Sequence, residues 1–266
     1  MSPKPTAHSA QPIELQPMTV RLAQALPWWI GAYFLAQWSM RLLVSPGIEL
    51  DEAEQLLLSQ ALAWGYGPQP PLYTWLFSAL HALLGDAVLA LALLKNLLLW
   101  LTYVTVYLLA RRMGVSRLGS GLAALSLLMI PQIAWEAQRD LTNSVMATAL
   151  AVLIWYQALR VLDAPGWWNH LLLGVLVGAG VLAKYNVILF LIALALAALS
   201  LPEVRSRLHP RRLAVAVLLA LLLTLPHLLW AVQHLELATG GTLGKLGLVP
   251  AAVPVGPSTP EGPSKP

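Results

Sequence analysis

Four acidic side chains, Glu49, Asp51, Glu52 and Glu54, gather in the stretch GIELDEAEQLLLSQALAWGYGPQPPLYTW, residues 47 to 75. A carboxylate held rigidly beside a membrane surface is suited to general-base work, because a base must reach the hydroxyl whose proton it removes. Asp51 is the first candidate for that role and Glu52 the second; Glu49 and Glu54 are expected to face solvent. The stretch WEAQRDLTNSV adds Glu136, Arg139 and Asp140, and LAKYNVI adds Lys184, polar groups able to shape a site and to hold an anion. Asp51, Glu52 and Asp140 could also bind a divalent ion if the fold brought them together. The sequence has no cysteine and its six histidines lack metal-ligand spacing, so thiolate chemistry is absent and a protein-built zinc site is not expected.

Each of these residues also has a plainer reading. Asp51 followed by Glu54 resembles a capping box, and acids in a first turn favour the helix dipole. Residues 136 to 140 suit an ordinary solvated turn, with Thr142 or Asp140 capping the helix that follows. Lys184 near a helix end can snorkel, avoiding the roughly 2.5 to 3.5 kcal/mol that a mid-membrane lysine costs. Lys95 and Asn96, polar interruptions of an apolar run, are expected to pair within the helix bundle.

The elements that must position these groups are set by composition. Of 266 residues, 58% are hydrophobic and only 11% charged, and the mean hydropathy is +0.68, against about 25% charged in soluble domains. An all-α, polytopic membrane protein follows. The formal charge of +4 then reports placement relative to the bilayer, not a nucleic-acid partner. Seven apolar runs are long enough to be taken as spans, roughly 27–45, 87–110, 117–135, 142–160, 168–183, 185–200 and 212–230. Residues 1 to 26 are expected to be a disordered cytoplasmic leader, 27 to 235 one seven-helix module, and the Pro/Gly-rich residues 236 to 266 a disordered tail.

The apolar stretch 71–84 is short and is expected to lie in the interface, as is a surface helix from about Glu52 to Trp64 whose Leu56, Leu57, Ala61 and Trp64 recur at helical spacing. With that assignment Arg111, Arg112, Arg117, Arg160, Arg205, Arg207, Arg211 and Arg212 share one side with the N-terminus, which the positive-inside rule makes cytoplasmic. Glu49, Asp51, Glu52, Glu54, Glu136, Arg139, Asp140 and Lys184 then fall on the external side. Eight tryptophans, among them Trp64 and Trp135, fall near the surfaces as belt anchors.

In order and sidedness, the Asp51-Glu52 pair after the first span, GYGPQPPLYTWL, LLARRMG, WEAQRDLTNSVMATALA and LVGAGVLAKYNVILF together resemble the type-C fold membrane glycosyltransferases. The resemblance covers about residues 25 to 235. It is greatest to the branch containing protein O-mannosyltransferases, lipid A aminoarabinose transferases and rhizobial lipopolysaccharide galacturonosyltransferases. It implies transfer of a sugar from a polyprenyl-phosphate carrier to a lipid, glycan or protein acceptor at the periplasmic or extracellular face of the plasma (inner) membrane. Asp51 matches the general base and Glu52 completes the pair; Glu136 and Asp140 would shape the acceptor site, and Arg139 and Lys184 would hold the carrier phosphate. No cofactor is implied beyond a possible divalent metal on Asp51 and Asp140. Such enzymes continue past a seventh span, whereas this sequence ends in the Pro-rich tail, so a truncated, non-catalytic protein of the same fold is one alternative. A transporter or flippase is another, but it would carry internal repeats and charges on broken helices at mid-membrane.

Overall fold

The computed structural model describes residues 17 to 44 and 47 to 239. All regular structure among them is helical: α1 (Pro17–Val44), α2 (Leu50–Leu58), α3 (Leu72–Leu84), α4 (Ala87–Arg112), α5 (Arg117–Leu125), α6 (Ala137–Arg139), α7 (Asn143–Asp163), α8 (Trp167–Ala183), α9 (Val187–Ser200), α10 (Pro202–Arg205) and α11 (Pro210–Gln233). The protein is thus an all-α polytopic membrane protein. By length and composition α4, α7 and α11 can each cross a bilayer. Of the other expected spans, α8 and α9 are shorter, and α1 is diluted by tryptophans, Gln37 and Arg41. The expected leader overlaps α1, which begins at Pro17 instead of near residue 27. Residues 1 to 16 of that leader and 240 to 266 of the expected tail lie outside the described residues.

The expected straight span over 117–135 is broken. After α5 the chain passes through a 3₁₀ turn, Ser126–Met129, then a π-helical turn, Gln132–Glu136, and the two limbs meet at 79°. Pro131 lies at the break and supplies no backbone N–H to continue the ladder, one of the few causes of a sharp kink. The second limb therefore delivers Arg139 and Asp140 sideways onto the end of the bundle.

α4 is the central post, packing against α1, α3, α5 and α7, while α8 packs against α7 and α11. The α8–α11 approach depends on small residues: a Cβ at Gly174 would meet the Ala216 carbonyl at 2.5 Å, and one at Gly178 would lie 3.3 Å from the Ala220 Cα. This small-xxx-small pattern on both helices allows backbone contact where lipid offers no hydrophobic drive. At one end Asp163 pairs with Arg112 at 2.7 Å and Arg207 at 3.9 Å, and Arg212 lies over Trp167. Arg112 at the end of α4, Arg207 just before α11 and Arg212 in its first turn thus share a single rim with the end of α7 and the start of α8.

The chain between α2 and α3 is pinned at the other end. Thr74 donates to the Gln55 side chain at 2.7 Å and the Trp75 indole to the Ala63 carbonyl at 2.8 Å. α3 packs one face against the bundle, burying Tyr73, Thr74 and Phe77. It ends at Gly85, whose φ of +75° favours glycine. His227 Nδ1 lies 2.8 Å from the Trp64 carbonyl and Nε2 2.7 Å from the Tyr185 hydroxyl. A carbonyl only accepts, so Nδ1 carries the hydrogen there. Next door, Gly65 packs so closely on Trp230 that an added Cβ would fall inside the ring's contact surface.

Candidate active site

The site begins with the start of α2. Glu49 has extended backbone (φ −84°, ψ 173°) and occupies the N-cap, and the Glu52 carboxylate, three residues on, accepts from the Glu49 N–H at 3.3 Å. The capping pair is therefore Glu49 with Glu52, not Asp51 with Glu54. The helix also stops at Leu58, short of the expected Trp64. Asp51 is left in the first turn with its carboxylate uninvolved in the cap. Its backbone N–H donates to Oδ1 of Asp140 at 2.8 Å, and the Thr142 backbone N–H hydrogen-bonds back to the Asp51 carboxylate. Thr142 holds the N-cap position of α7 but makes no side-chain cap bond there. Two loops distant in sequence are thereby clasped through a pair of acids.

Glu52 has a different environment. It lies between Lys95 Nζ at 2.6 Å and Arg41 Nη2 at 2.8 Å, with the side chains of Glu52 and Lys95 only 1% and 2% exposed. Arg41 also donates to the Gly47 carbonyl at 2.6 Å, and Lys95 reaches the carbonyls of Arg139 at 3.5 Å and Asp140 at 3.4 Å. The triad ties the end of α1, the start of α2, the middle of α4 and the second loop into one unit. Both Glu52 oxygens are committed to cations, so its geometry suits holding the site together better than proton transfer. Asn96 bonds the Ala92 carbonyl and accepts from Gln138, completing the polar path inside the bundle.

Burial lifts the Asp51 carboxyl above its ordinary value, and the neighbouring Asp140 charge lifts it further; the Thr142 N–H, Lys184 and Lys95 oppose that rise. Burial, aided by the Asp51 charge, also raises Glu54. Lys184, between α8 and α9, donates to the Ser144 hydroxyl at 2.7 Å, so it is tethered instead of trailing into solvent, and its charge is felt at Asp51. Arg139 is in another setting. It forms a loose pair with Glu136 at 3.9 Å and, with Arg41, Glu49, Trp135 and Gln138, lines a cavity of about 350 Å³.

Asp51, Glu52, Asp140 and Lys184 thus share one neighbourhood, while Arg139 lines the cavity and Glu136 pairs loosely with it. The sequence singled out Lys95 only as a residue pairing within the bundle, and Arg41, Gln138 and Ser144 not at all. Arg41 and Lys95 carried the available signal, a cation in each of two otherwise apolar helices. Among the described residues no group of three or more His, Asp or Glu side chains is arranged to hold a metal ion. With Glu52 bound by two cations, Asp51 and Asp140 alone make a poor donor set for a divalent ion that takes six or more oxygens.

The family profile described as dolichyl-phosphate-mannose-protein mannosyltransferase matches residues 68–230, more than half of the chain. The chain belongs to this mannosyltransferase family. Within similar proteins, the lipopolysaccharide core galacturonosyltransferases RgtB and RgtA of Rhizobium johnstonii are 42% and 36% identical over 217 and 234 residues. Those alignments cover 82% and 88% of this chain but 44% and 46% of the relatives. The lipid A galacturonosyltransferase RgtD of the same organism is 26% identical over 191 residues, 70% of this chain and 38% of its own. This family member therefore spans less than half the length of the curated relatives it matches. No solved structure matches it. The family match begins at Pro68, so α3, α4, α7, α8 and most of α11 fall within it, while Asp51 and Glu52 lie upstream.

Proposed function

We propose that this protein transfers a galacturonosyl group from a polyprenyl-phosphate carrier to a lipopolysaccharide acceptor at the external face of the inner membrane. The reading is carried by the clasp of Asp51 with Asp140 and Thr142, which fixes one carboxylate near a tethered lysine at the end of the bundle away from the arginine rim. The relatives' galacturonosyltransferase names supply the sugar and the acceptor.

In the proposed reaction an acceptor hydroxyl oxygen attacks the anomeric carbon while its proton passes to Asp51. The bond from the anomeric carbon to the phosphate oxygen breaks, and the polyprenyl phosphate leaves as an anion. Lys184 stabilises that charge, and a phosphate leaving group needs little help from an acid. One displacement inverts the anomeric centre. Glu52 serves as the anchor of Asp51. The bilayer confines carrier and acceptor to one surface, which favours their productive orientation.

The test is transfer of radiolabelled galacturonate from polyprenyl-phosphate galacturonate to lipopolysaccharide by purified protein, comparing wild type with Asp51→Asn. Loss of transfer by at least about 100-fold is expected. Equal transfer by both proteins removes Asp51 from the mechanism.

A further inference from the structure

The turn that carries Lys184 is held from two sides. Lys184 is the C-cap of α8, with extended backbone (φ −164°, ψ 133°), and only Tyr185 and Asn186 separate it from α9. Its ammonium donates to Ser144 at the start of α7. The Tyr185 hydroxyl lies 2.7 Å from Nε2 of His227 on α11. One short turn thus reaches α7 with its lysine and α11 with its tyrosine.

His227 has both ring nitrogens committed. Nδ1 is 2.8 Å from the Trp64 carbonyl, which only accepts, so Nδ1 carries the hydrogen; Nε2 is then the acceptor and the Tyr185 hydroxyl the donor, the arrangement of a neutral ring. The side chain is 0% exposed and lies nearly parallel to the Trp230 ring, at 5.9 Å between centroids. Trp64 itself sits in a braced stretch, because the neighbouring Ala63 accepts from the Trp75 indole and donates to the Tyr66 hydroxyl at 3.1 Å. That stretch follows the helix that carries Asp51. A single imidazole therefore joins the chain leaving the Asp51 helix to the turn that bears Lys184.

Helix packing alone does not call for this residue. α11 already approaches α8 through Gly174 and Gly178, and an apolar ring would fill the same space without the cost of desolvating two nitrogens. That cost is offset only while Trp64 and Tyr185 both remain in place. We infer that His227 is a positioning residue: through Tyr185 it fixes the turn that aims Lys184, with the Trp64 carbonyl as its reference point. The inference rests on the proposed function, in which Lys184 holds the carrier phosphate. An ammonium has three donors, so Lys184 can keep Ser144 and still receive the phosphate, provided the turn stays where it is. A displacement of about 1 Å is enough to cost a site about 100-fold.

The experiment measures binding of a polyprenyl phosphate and of the corresponding polyprenol to the full chain in nanodiscs, which reads phosphate recognition without turnover. Wild type should prefer the phosphate lipid by about 10-fold or more, the scale of one charge-assisted bond, and Lys184→Ala should remove most of that preference. Tyr185→Phe deletes one oxygen and His227→Phe keeps an aromatic ring; each should reduce the preference to within about 3-fold by weakening the phosphate lipid alone. His227→Gln, whose amide can donate to Trp64 and accept from Tyr185, should restore it. In a Lys184→Ala background Tyr185→Phe should change nothing further, because the group it positions is gone. An undiminished preference in Tyr185→Phe and His227→Phe overturns the inference and leaves the transferase reading intact. Equal weakening of both lipids, or a further loss in the Lys184→Ala background, overturns it as well, since either is the mark of general packing. Wild type that binds the two lipids alike removes the carrier-phosphate site and both readings with it. The expected pattern in a protein that transfers no sugar strikes the proposed reaction alone.

Discussion

The peptide N–H of Asp51 donates to Oδ1 of Asp140 at 2.8 Å, joining two acids 89 residues apart. The bond brings like charges together, and it is one of the reasons the Asp51 carboxyl sits above its ordinary range, after burial. A base with a raised value is deprotonated only at higher pH. The acid limb of the transfer rate is therefore expected above that of an ordinary aspartate, with activity lost as pH falls through it. Asp140→Asn keeps the accepting oxygen but removes the charge, so the limb should move to lower pH. A pH profile of kcat/KM for both proteins checks the direction.

The same elevation makes a stability prediction. A carboxyl whose folded value exceeds its unfolded one contributes stability at low pH that is lost as pH rises through the folded value. At neutral pH the ionised Asp51 is thus a burden on the fold. Asp51→Asn should melt at the same temperature as wild type or higher while losing transfer, an exchange typical of functional sites. Thermal unfolding in detergent, followed by intrinsic tryptophan fluorescence, reads this out.

Glu52 and Lys95 form the buried part of the anchor. Glu52→Gln leaves the buried Lys95 without its carboxylate and should cost about 3–5 kcal/mol, whereas Lys95→Met leaves Glu52 with Arg41 and should cost less. Lys95→Met combined with Glu52→Gln should cost less than the sum of the single changes, because neither partner then remains charged without the other. A double-mutant cycle measured by denaturant unfolding decides, and strict additivity would count against the pairing.

Gly65 lies against the Trp230 ring with no room for a Cβ. Gly65→Ala should destabilise by about 1–3 kcal/mol through overpacking. In a Trp230→Leu background the same change should cost less, since the obstructing ring is gone. Melting temperatures of the four proteins test the coupling.

Sidedness is checked by labelling. The sequence contains no cysteine, so single cysteines at Gln60 and Met113 report alone. Both positions are exposed and lie toward opposite ends of the bundle. A membrane-impermeant maleimide added to intact spheroplasts should label Gln60→Cys and spare Met113→Cys. The reverse pattern would put the site on the cytoplasmic side.

What the sequence made legible follows from what acts locally. The apolar runs over 87–110, 142–160 and 212–230 emerge as α4, α7 and α11 because twenty apolar residues in lipid must satisfy their own backbone. Asp51, Asp140 and Lys184 could be chosen because charge is rare in this chain. The cap was misassigned since Glu49-x-x-Glu52 and Asp51-x-x-Glu54 offer overlapping versions of one local pattern, and the tertiary pull of Arg41 and Lys95 on Glu52 decides between them. The break at Pro131 interrupts a run whose apolarity continues through it, so hydropathy alone joins both limbs. α3 reads as interfacial from its length, yet its burial depends on α4 and α8, whose placement no local window contains. The Arg139 cavity is assembled from α1, the loop before α2 and the bent limb, a convergence invisible to spacing along the chain.

Lys95 holds one half of the site through a side chain and the other through main-chain oxygens. The two halves therefore share a common origin of coordinates buried inside the helix bundle, away from whatever sugar or lipid occupies the rim. Sequences that drift at the rim can alter what is recognised, but position 95 is free to change only in step with position 52.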